Sequence, residues 1–141
     1  MRSFLVMVAV VIGARDARAK PSPADVVALA VGVRHSCALH SDGAVSCWGA
    51  NDRGELGDGT LVRSAVPVRV DHLDDAVEIA TDGIRTCARR RDGTVSCWGP
   101  NTGANPGTKP TPIKVRGVVQ LSGTCLRTTQ EVACLNWRAR R

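Results

Sequence analysis

The chain repeats itself with a period of 50 residues. Cys37-Ala38-(x)3-Asp42-Gly43-(x)-Val45-Ser46-Cys47-Trp48-Gly49-(x)-Asn51 falls on Cys87-Ala88-(x)3-Asp92-Gly93-(x)-Val95-Ser96-Cys97-Trp98-Gly99-(x)-Asn101, and no gap is needed between positions 27 and 51. A third, shorter copy keeps Cys125-Leu126-(x)5-Val132-Ala133-Cys134. A period of this size marks an architecture in which one unit cannot bury its apolar face alone and neighbours must stack. The first functional inference is therefore negative. The pattern points to a repeated scaffold or binding surface, not to a single catalytic pocket.

Residues 1–19 read as a secretion signal. Met1-Arg2 is a short basic start, residues 4–14 form an apolar run, and Ala17-Arg18-Ala19 supplies a small-x-small cleavage pattern before Lys20. A transmembrane helix is the rival reading. It needs roughly 20 apolar residues, and Arg15 and Asp16 close this run early. No Cys lies near the cut to carry a lipid anchor. Cleavage after Ala19 removes Arg2, Arg15 and Arg18 against Asp16, so +4 of the formal net charge of +6 remains on 122 residues. The exported chain has no Phe or Tyr, because Phe4 leaves with the signal. Its core must be built from Val, Leu, Ile, Ala, Trp and Cys, which is thin for its size and calls for extra staples. An exported chain, whether periplasmic, on the cell surface or extracellular, obtains these from its six cysteines.

The local pattern is β. Residues 27–31 and 35–40 are short apolar or alternating runs, Ser41-Asp42-Gly43 is a turn signal, and residues 44–48 resume the strand. A three-residue loop with Gly43 in the left-handed conformation closes on His40 and Ala44. Counting back, Leu39 faces Val45 and Cys37 faces Cys47. Directly opposed residues of an antiparallel pair lie about 4.5 to 5.5 Å apart at Cα, within disulfide reach. The same count around Arg91-Asp92-Gly93 sets Cys87 against Cys97. In the third copy a two-residue loop at Thr129-Gln130 sets Cys125 against Cys134, although Thr-Gln is an unusual choice for a primed turn. Three in-hairpin disulfides are expected, each stabilising by about 2 to 3 kcal/mol because the closed loops are short; six buried thiols are the alternative. The Gly-rich, polar residues 49–60 are loop. Residues 66–70 and 111–115 read as outer strands, with Pro67 at an edge.

Gly32-Val33-Arg34-His35-Ser36-Cys37-Ala38-Leu39, then Asp42-Gly43-Ala44-Val45-Ser46-Cys47-Trp48-Gly49-Ala50-Asn51, then Gly54-Glu55-Leu56-Gly57-Asp58-Gly59-Thr60, resembles one repeat of the regulator of chromosome condensation family, and more narrowly its Cys-paired, exported bacterial form. The second repeat keeps the Cys hairpin but carries Gly103-Ala104-Asn105-Pro106-Gly107-Thr108 in place of the Gly-Glu-Leu-Gly-Asp-Gly-Thr stretch, and the third keeps little beyond its Cys pair. The resemblance implies an all-β fold. It would be a partial β-propeller of about two to three antiparallel blades, too short for a closed seven-bladed ring. The expected organisation is a signal at 1–19, a linker at 20–26, repeats at 27–76 and 77–117, a partial repeat at 118–135 and a basic tail at 136–141. Three accounts of the short array are open: an open fragment held by disulfides, assembly with copies of itself or with a longer repeat protein, or a truncated, functionless remnant.

Candidate chemistry is sparse. His35 and His40 flank Cys37, but the repeat places Arg85 and Arg90 at the same positions, so it does not require histidine there. Cys-(x)9-Cys is not a zinc spacing. Asp52, Glu55 and Asp58 lack the ligand order of a calcium loop. No nucleophile with a base, paired carboxylates or phosphate-cradling loop stands out, so neither an enzyme nor a cofactor is expected. Arg89-Arg90-Arg91, with Arg138, Arg140 and Arg141, is a candidate basic patch for an anionic polymer. The resulting reading is an exported, non-enzymatic interaction module whose partner is an unknown protein or envelope polymer. Its candidate contacts are Asn51, Asp52, Arg53, Glu55, Asp58, Arg89, Arg90 and Arg91, taken to gather at one end of the blades. Nucleic acid is not an expected partner, and the mature chain has no expected membrane span. The alternative is a secreted enzyme inhibitor, similar to the propeller proteins that block β-lactamases.

Overall fold

The structure, a computed structural model, describes residues 25–100 and 107–135. The signal at 1–19, most of the linker, residues 101–106 and the basic tail with Arg138, Arg140 and Arg141 lie outside the described residues. Eleven strands form three antiparallel sheets. Blade 1 contains β1 (Val26–Val31), β2 (His35–His40), β3 (Val45–Gly49) and β4 (Ser64–Arg69). Blade 2 contains β5 (Ala76–Thr81), β6 (Thr86–Arg90), β7 (Val95–Trp98) and β8 (Thr111–Ile113). Blade 3 has three strands, β9 (Val118–Ser122), β10 (Cys125–Thr128) and β11 (Val132–Cys134). Each sheet is a meander in chain order, and Pro67 lies exposed on the edge strand β4, where its missing N–H costs no ladder bond. The three blades do not close a ring: the chain is a partial propeller. No helix among the described residues is long and apolar enough to cross a membrane.

The hairpins follow from loop length. Gly43 at φ 87° and Gly93 at φ 79° close three-residue loops. His40 N donates to Ala44 O at 2.9 Å and Arg90 N to Thr94 O at 2.8 Å. Those pairs are hydrogen-bonded, and the ladder alternates from them, so the third pair back is non-hydrogen-bonded. It is Cys37 with Cys47 in blade 1 and Cys87 with Cys97 in blade 2. That narrow pairing suits a disulfide, and both pairs are bonded, with Cα atoms 4.1 Å apart. Thr128 N donates to Glu131 O at 2.8 Å, and the same alternation bonds Cys125 to Cys134 at a Cα distance of 3.9 Å. The turn there is not a primed one, since neither Thr129 nor Gln130 has positive φ. Instead the Thr128 hydroxyl accepts from Gln130 N at 3.2 Å and Glu131 N at 3.1 Å. This side-chain turn supplies what the Thr-Gln pair lacks.

The core lies between the blades. Call the face of a blade that meets its successor the trailing face, and the other the leading face. Cys37, Cys47, Leu39, Val45 and Ala30 on the trailing face of blade 1 pack with Ala76, Ile79, Ala88 and Trp98 on the leading face of blade 2. Cys87, Cys97 and Val95 repeat this against Val118, Leu121 and Leu126 of blade 3. Polar bonds recur at the same place in both interfaces. Gly43 O accepts from Ala76 N at 3.0 Å, and Gly93 O accepts from Val118 N at 3.2 Å. The disulfides of blades 1 and 2 thus belong to the interface with the next blade. The first two are fully buried, whereas Cys125 is partly exposed and Cys134 exposed.

Reduction should follow that exposure. A mild reductant under native conditions should open Cys125–Cys134 first, with the other two bridges resisting until the blades separate. Timed alkylation and peptide mapping checks this order. Replacing both Cys37 and Cys47 by Ala should lower stability by about 2 to 3 kcal/mol in denaturant titration.

Candidate binding surface

The segment joining β3 to β4, residues 50–63, is folded around Asn51. This side chain is fully buried. Its Oδ1 accepts from Leu56 N at 3.0 Å. Its Nδ2 donates to Val62 O at 3.0 Å, Thr60 O at 3.1 Å and Asp58 Oδ1 at 3.2 Å. One amide therefore ties together both arms of a loop that has no regular ladder. Asp58 Oδ1 closes its own turn by accepting from Thr60 N at 2.9 Å, and the Glu55 carboxylate accepts from Arg53 N at 2.8 Å. Leu56 drops into the core with no exposed surface.

Trp98 of blade 2 enters this loop. Its indole Nε1 donates to Glu55 O at 3.0 Å, and its ring is completely buried. Gly57, at φ 65°, lies against the ring: a Cβ there would come within 2.7 Å of Trp98 Cδ1. Glycine is required at this position twice over, by conformation and by contact. The same interface holds His35, only 3% exposed, whose Nε2 lies 2.8 Å from Thr86 Oγ1. Its Nδ1 is buried without a hydrogen-bond partner among the described residues. Burial pushes the imidazole pKa below its ordinary value, with Glu55 and Asp82 opposing part of that shift. His40, on the opposite face of β2, is 3.0 Å from Ser46 Oγ. The two histidines are inter-blade and strand-surface groups rather than members of one ligand set.

These contacts revise the sequence-based surface. Asn51 and Glu55 are engaged within the loop and buried, so they scaffold it and do not present themselves to a partner. Asp58 is half-buried and held by Thr60. Asp52 and Arg53 point outward. Arg89 bonds Glu78 at 2.8 Å, and Arg90 bonds Asp75 and the carbonyl of His72. Two of the three arginines are thus neutralised internally, and Arg91 is left exposed. The arginines also lie at the opposite end of the blades from the Asn51 loop. Residues 41–43 precede β3 and residues 50–63 follow it, so the two loops are at opposite ends of one strand. Stacking carries the Arg91-Asp92-Gly93 hairpin to the end away from the Asn51 loop. This parity was available from the strand order alone.

Two arginines not singled out from the sequence, Arg34 and Arg63, do join the loop. They line an open cleft of about 420 Å³ with Gly49, Ala50, Asp52, Ser64 and Ala65. Arg34 lies 3.3 Å from Asp52 in an exposed ion pair, worth little in stability but fixing the charges at the rim. Arg34 sits in the β1–β2 turn, which strand parity places beside the β3–β4 loop.

The family description Regulator of chromosome condensation (RCC1) repeat matches residues 26–55 and, in a second form, residues 42–81. Residues 26–81 match regulator of chromosome condensation repeats. Solved propellers resemble it in fold. Human WBSCR16 is 23% identical over 76% of this chain and 31% of its own, with a TM-score of 0.68. Yeast RCC1 (Prp20), solved with Kap60, is 22% identical over 77% and 28%, with a TM-score of 0.64. Prp20p from Saccharomyces cerevisiae, studied for binding to Gsp1p and histones, is 21% identical over 67% and 27%, with a TM-score of 0.58. The chain spans less than a third of the length of these proteins. Its repeats form a scaffold of the kind that presents binding loops.

Trp98→Ala should cost about 3 to 5 kcal/mol, and Asn51→Ala about 1 to 3 kcal/mol through the loop groups it strands. Both are read from denaturant midpoints, with Arg91→Ala as a control expected to change little. The His35 effect has a defined sign. The unfolded histidine takes up a proton near pH 6.5, while the buried one resists. Stability is therefore full above that pH and falls as the pH drops below it. His35→Gln should flatten the decline of the melting temperature between about pH 7.5 and about pH 5.5.

Proposed function

We propose that the chain is an exported, non-enzymatic binding module. Its partner is a protein that meets the β1–β2 and β3–β4 loop end of blade 1. The observation that carries this reading is the division of labour in the loop. Asn51, Glu55 and Asp58 hold it rigid from within, and Asp52, Arg53, Arg34 and Arg63 are left around the cleft. A rigid, mixed-charge rim suits electrostatic matching to a folded protein surface. An anionic envelope polymer fits it less well, since Arg89 and Arg90 are already paired with carboxylates. Protein binding is also known for the similar yeast proteins, Prp20p with Gsp1p and histones and Prp20 with Kap60. Their partners are not carried over, because three disulfides favour an oxidising compartment.

Two measurements test this. Protein recovered from envelope and culture-supernatant fractions should begin at Lys20 with its thiols oxidised; a chain retaining Met1 in the cytosol, with free thiols, would overturn export. Cross-linking in those fractions should place the partner at the cleft. Arg34→Glu combined with Arg63→Glu should then weaken binding by about tenfold, or ~1.4 kcal/mol, while Arg91→Glu leaves it unchanged. Equal loss from Arg91→Glu would move the surface to the other end.

A further inference from the structure

The cleft at the β1–β2 and β3–β4 end of blade 1 has an uneven charge. Two guanidiniums, those of Arg34 and Arg63, line it with one carboxylate, that of Asp52. Arg34 meets Asp52 through one terminal nitrogen at 3.3 Å, and both side chains are more than half exposed. Its other donors have no acceptor among the described residues. Arg63 is exposed and pairs with no carboxylate among the described residues. Its backbone is nevertheless fixed on both sides. Val62 O accepts from the Asn51 amide at 3.0 Å, and Ser64 pairs with Gly49 across β3 and β4. Arg34 is anchored too, since its carbonyl accepts from Ala50 N at 2.8 Å. A Cβ on Gly49 would come within 2.5 Å of that carbonyl, so glycine is what lets the β1–β2 turn close on the loop. Gly49, Ala50 and Ala65 add no polar side-chain atom to the cleft, and the Ser64 hydroxyl is taken up by Val66 O at 2.6 Å. The repeat does not call for this set: 50 residues on, Arg34 and Asp52 become Ile84 and Thr102. An exposed ion pair also adds little to stability. Neither folding nor the repeat pattern accounts for two arginines here.

We infer that the Arg34–Arg63 cleft is a carboxylate-binding pocket, which takes one carboxylate group from the protein partner. The charges fix the class. Two cations and one anion leave room for a single negative charge, and a carboxylate supplies it. A phosphoryl group, with a charge of about −1.5 to −2 at neutral pH, would overshoot and lie against Asp52. A guanidinium presents paired N–H donors that match the two oxygens of a carboxylate. The cleft, about 420 Å³, admits an acidic side chain with the backbone that carries it. Its small walls leave both guanidiniums within reach. Asp52 holds Arg34 at the rim and so orients one donor group before the partner arrives. The inference deepens the binding-module reading and rests on it for the source of the carboxylate.

The test uses short peptides in place of the partner. Acetyl-Gly-Gly-Glu-Gly-Gly-amide carries a side-chain carboxylate. Acetyl-Gly-Gly-Gly-Gly with a free C-terminus carries a terminal one. The Gln form of the first peptide carries none, and its phosphoserine form carries a phosphoryl group. Each is titrated into the 15N-labelled chain at low salt, and the Arg34 and Arg63 Nε–H signals are followed. At least one carboxylate peptide should shift both signals with a Kd in the millimolar range, and the Gln peptide should shift neither. The carboxylate that binds more tightly names the source, an acidic side chain or a chain terminus. Arg63→Gln should weaken that peptide by about fivefold or more with no change in the denaturant midpoint, and Arg91→Gln should leave it unaltered. The proposal is overturned if neither carboxylate peptide shifts the two signals at tens of millimolar, or if the Gln peptide shifts them equally. Tighter binding of the phosphoserine peptide, or equal weakening by Arg63→Gln and Arg91→Gln, overturns it as well. These readouts need no partner. Peptides that bind while the cross-linked partner maps elsewhere would leave the pocket standing and remove the proposed partner site; a partner at the cleft with no peptide binding would do the reverse.

Discussion

The burial of one tryptophan in its neighbour's loop is the contact on which the array depends. A single four-stranded sheet has two faces and little within itself to bury. This chain has few large side chains to help, having no Phe or Tyr after residue 19. Trp98 provides the largest fully buried side chain and also the hydrogen bond that fixes blade 2 against blade 1. The loop that receives it is not held by ladder bonds. Asn51 replaces them, and Gly57 leaves the space. Interface, loop and glycine are therefore one unit, and the conformation of residues 50–63 is set as much by blade 2 as by blade 1.

The disulfides act at the same interfaces from the other side. A bridge across a narrow, non-hydrogen-bonded pair adds no new direction to the hairpin, which the ladder already aligns. Its value lies in replacing two separate side chains by one compact apolar block at the centre of the trailing face, and in limiting the unfolded chain. Cys37–Cys47 and Cys87–Cys97 are covered by the next blade, while Cys125–Cys134 is not. Identical chemistry thus sits in two environments, decided by position in the stack.

The hairpins were legible in the sequence because period-two geometry and a left-handed glycine leave one register for each loop length. The count from Gly43 or Gly93 reaches the cysteine pairs without reference to anything distant. The Thr128 turn was legible only in register; its mechanism depends on a hydroxyl orientation that no spacing reveals. The surface was read less well. Asn51 looks like an exposed loop amide until the loop closes around it. Arg89 and Arg90 look like free charge until Glu78 and Asp75 arrive from the adjoining strand and connection. Local composition reports which groups are polar. Only the tertiary partners decide which of them remain available to water or to a ligand.

The same distinction governs the ends of the stack. A repeat carries the instructions for its interface whether or not a neighbour is present, so Trp48 and Leu29 have the chemistry of Trp98 and Ile79 without their surroundings. In the third repeat Leu135 follows Cys134 where Trp follows Cys47 and Cys97, and it packs into the core between blades 2 and 3, while Arg127 bonds Gln120 as Arg89 bonds Glu78.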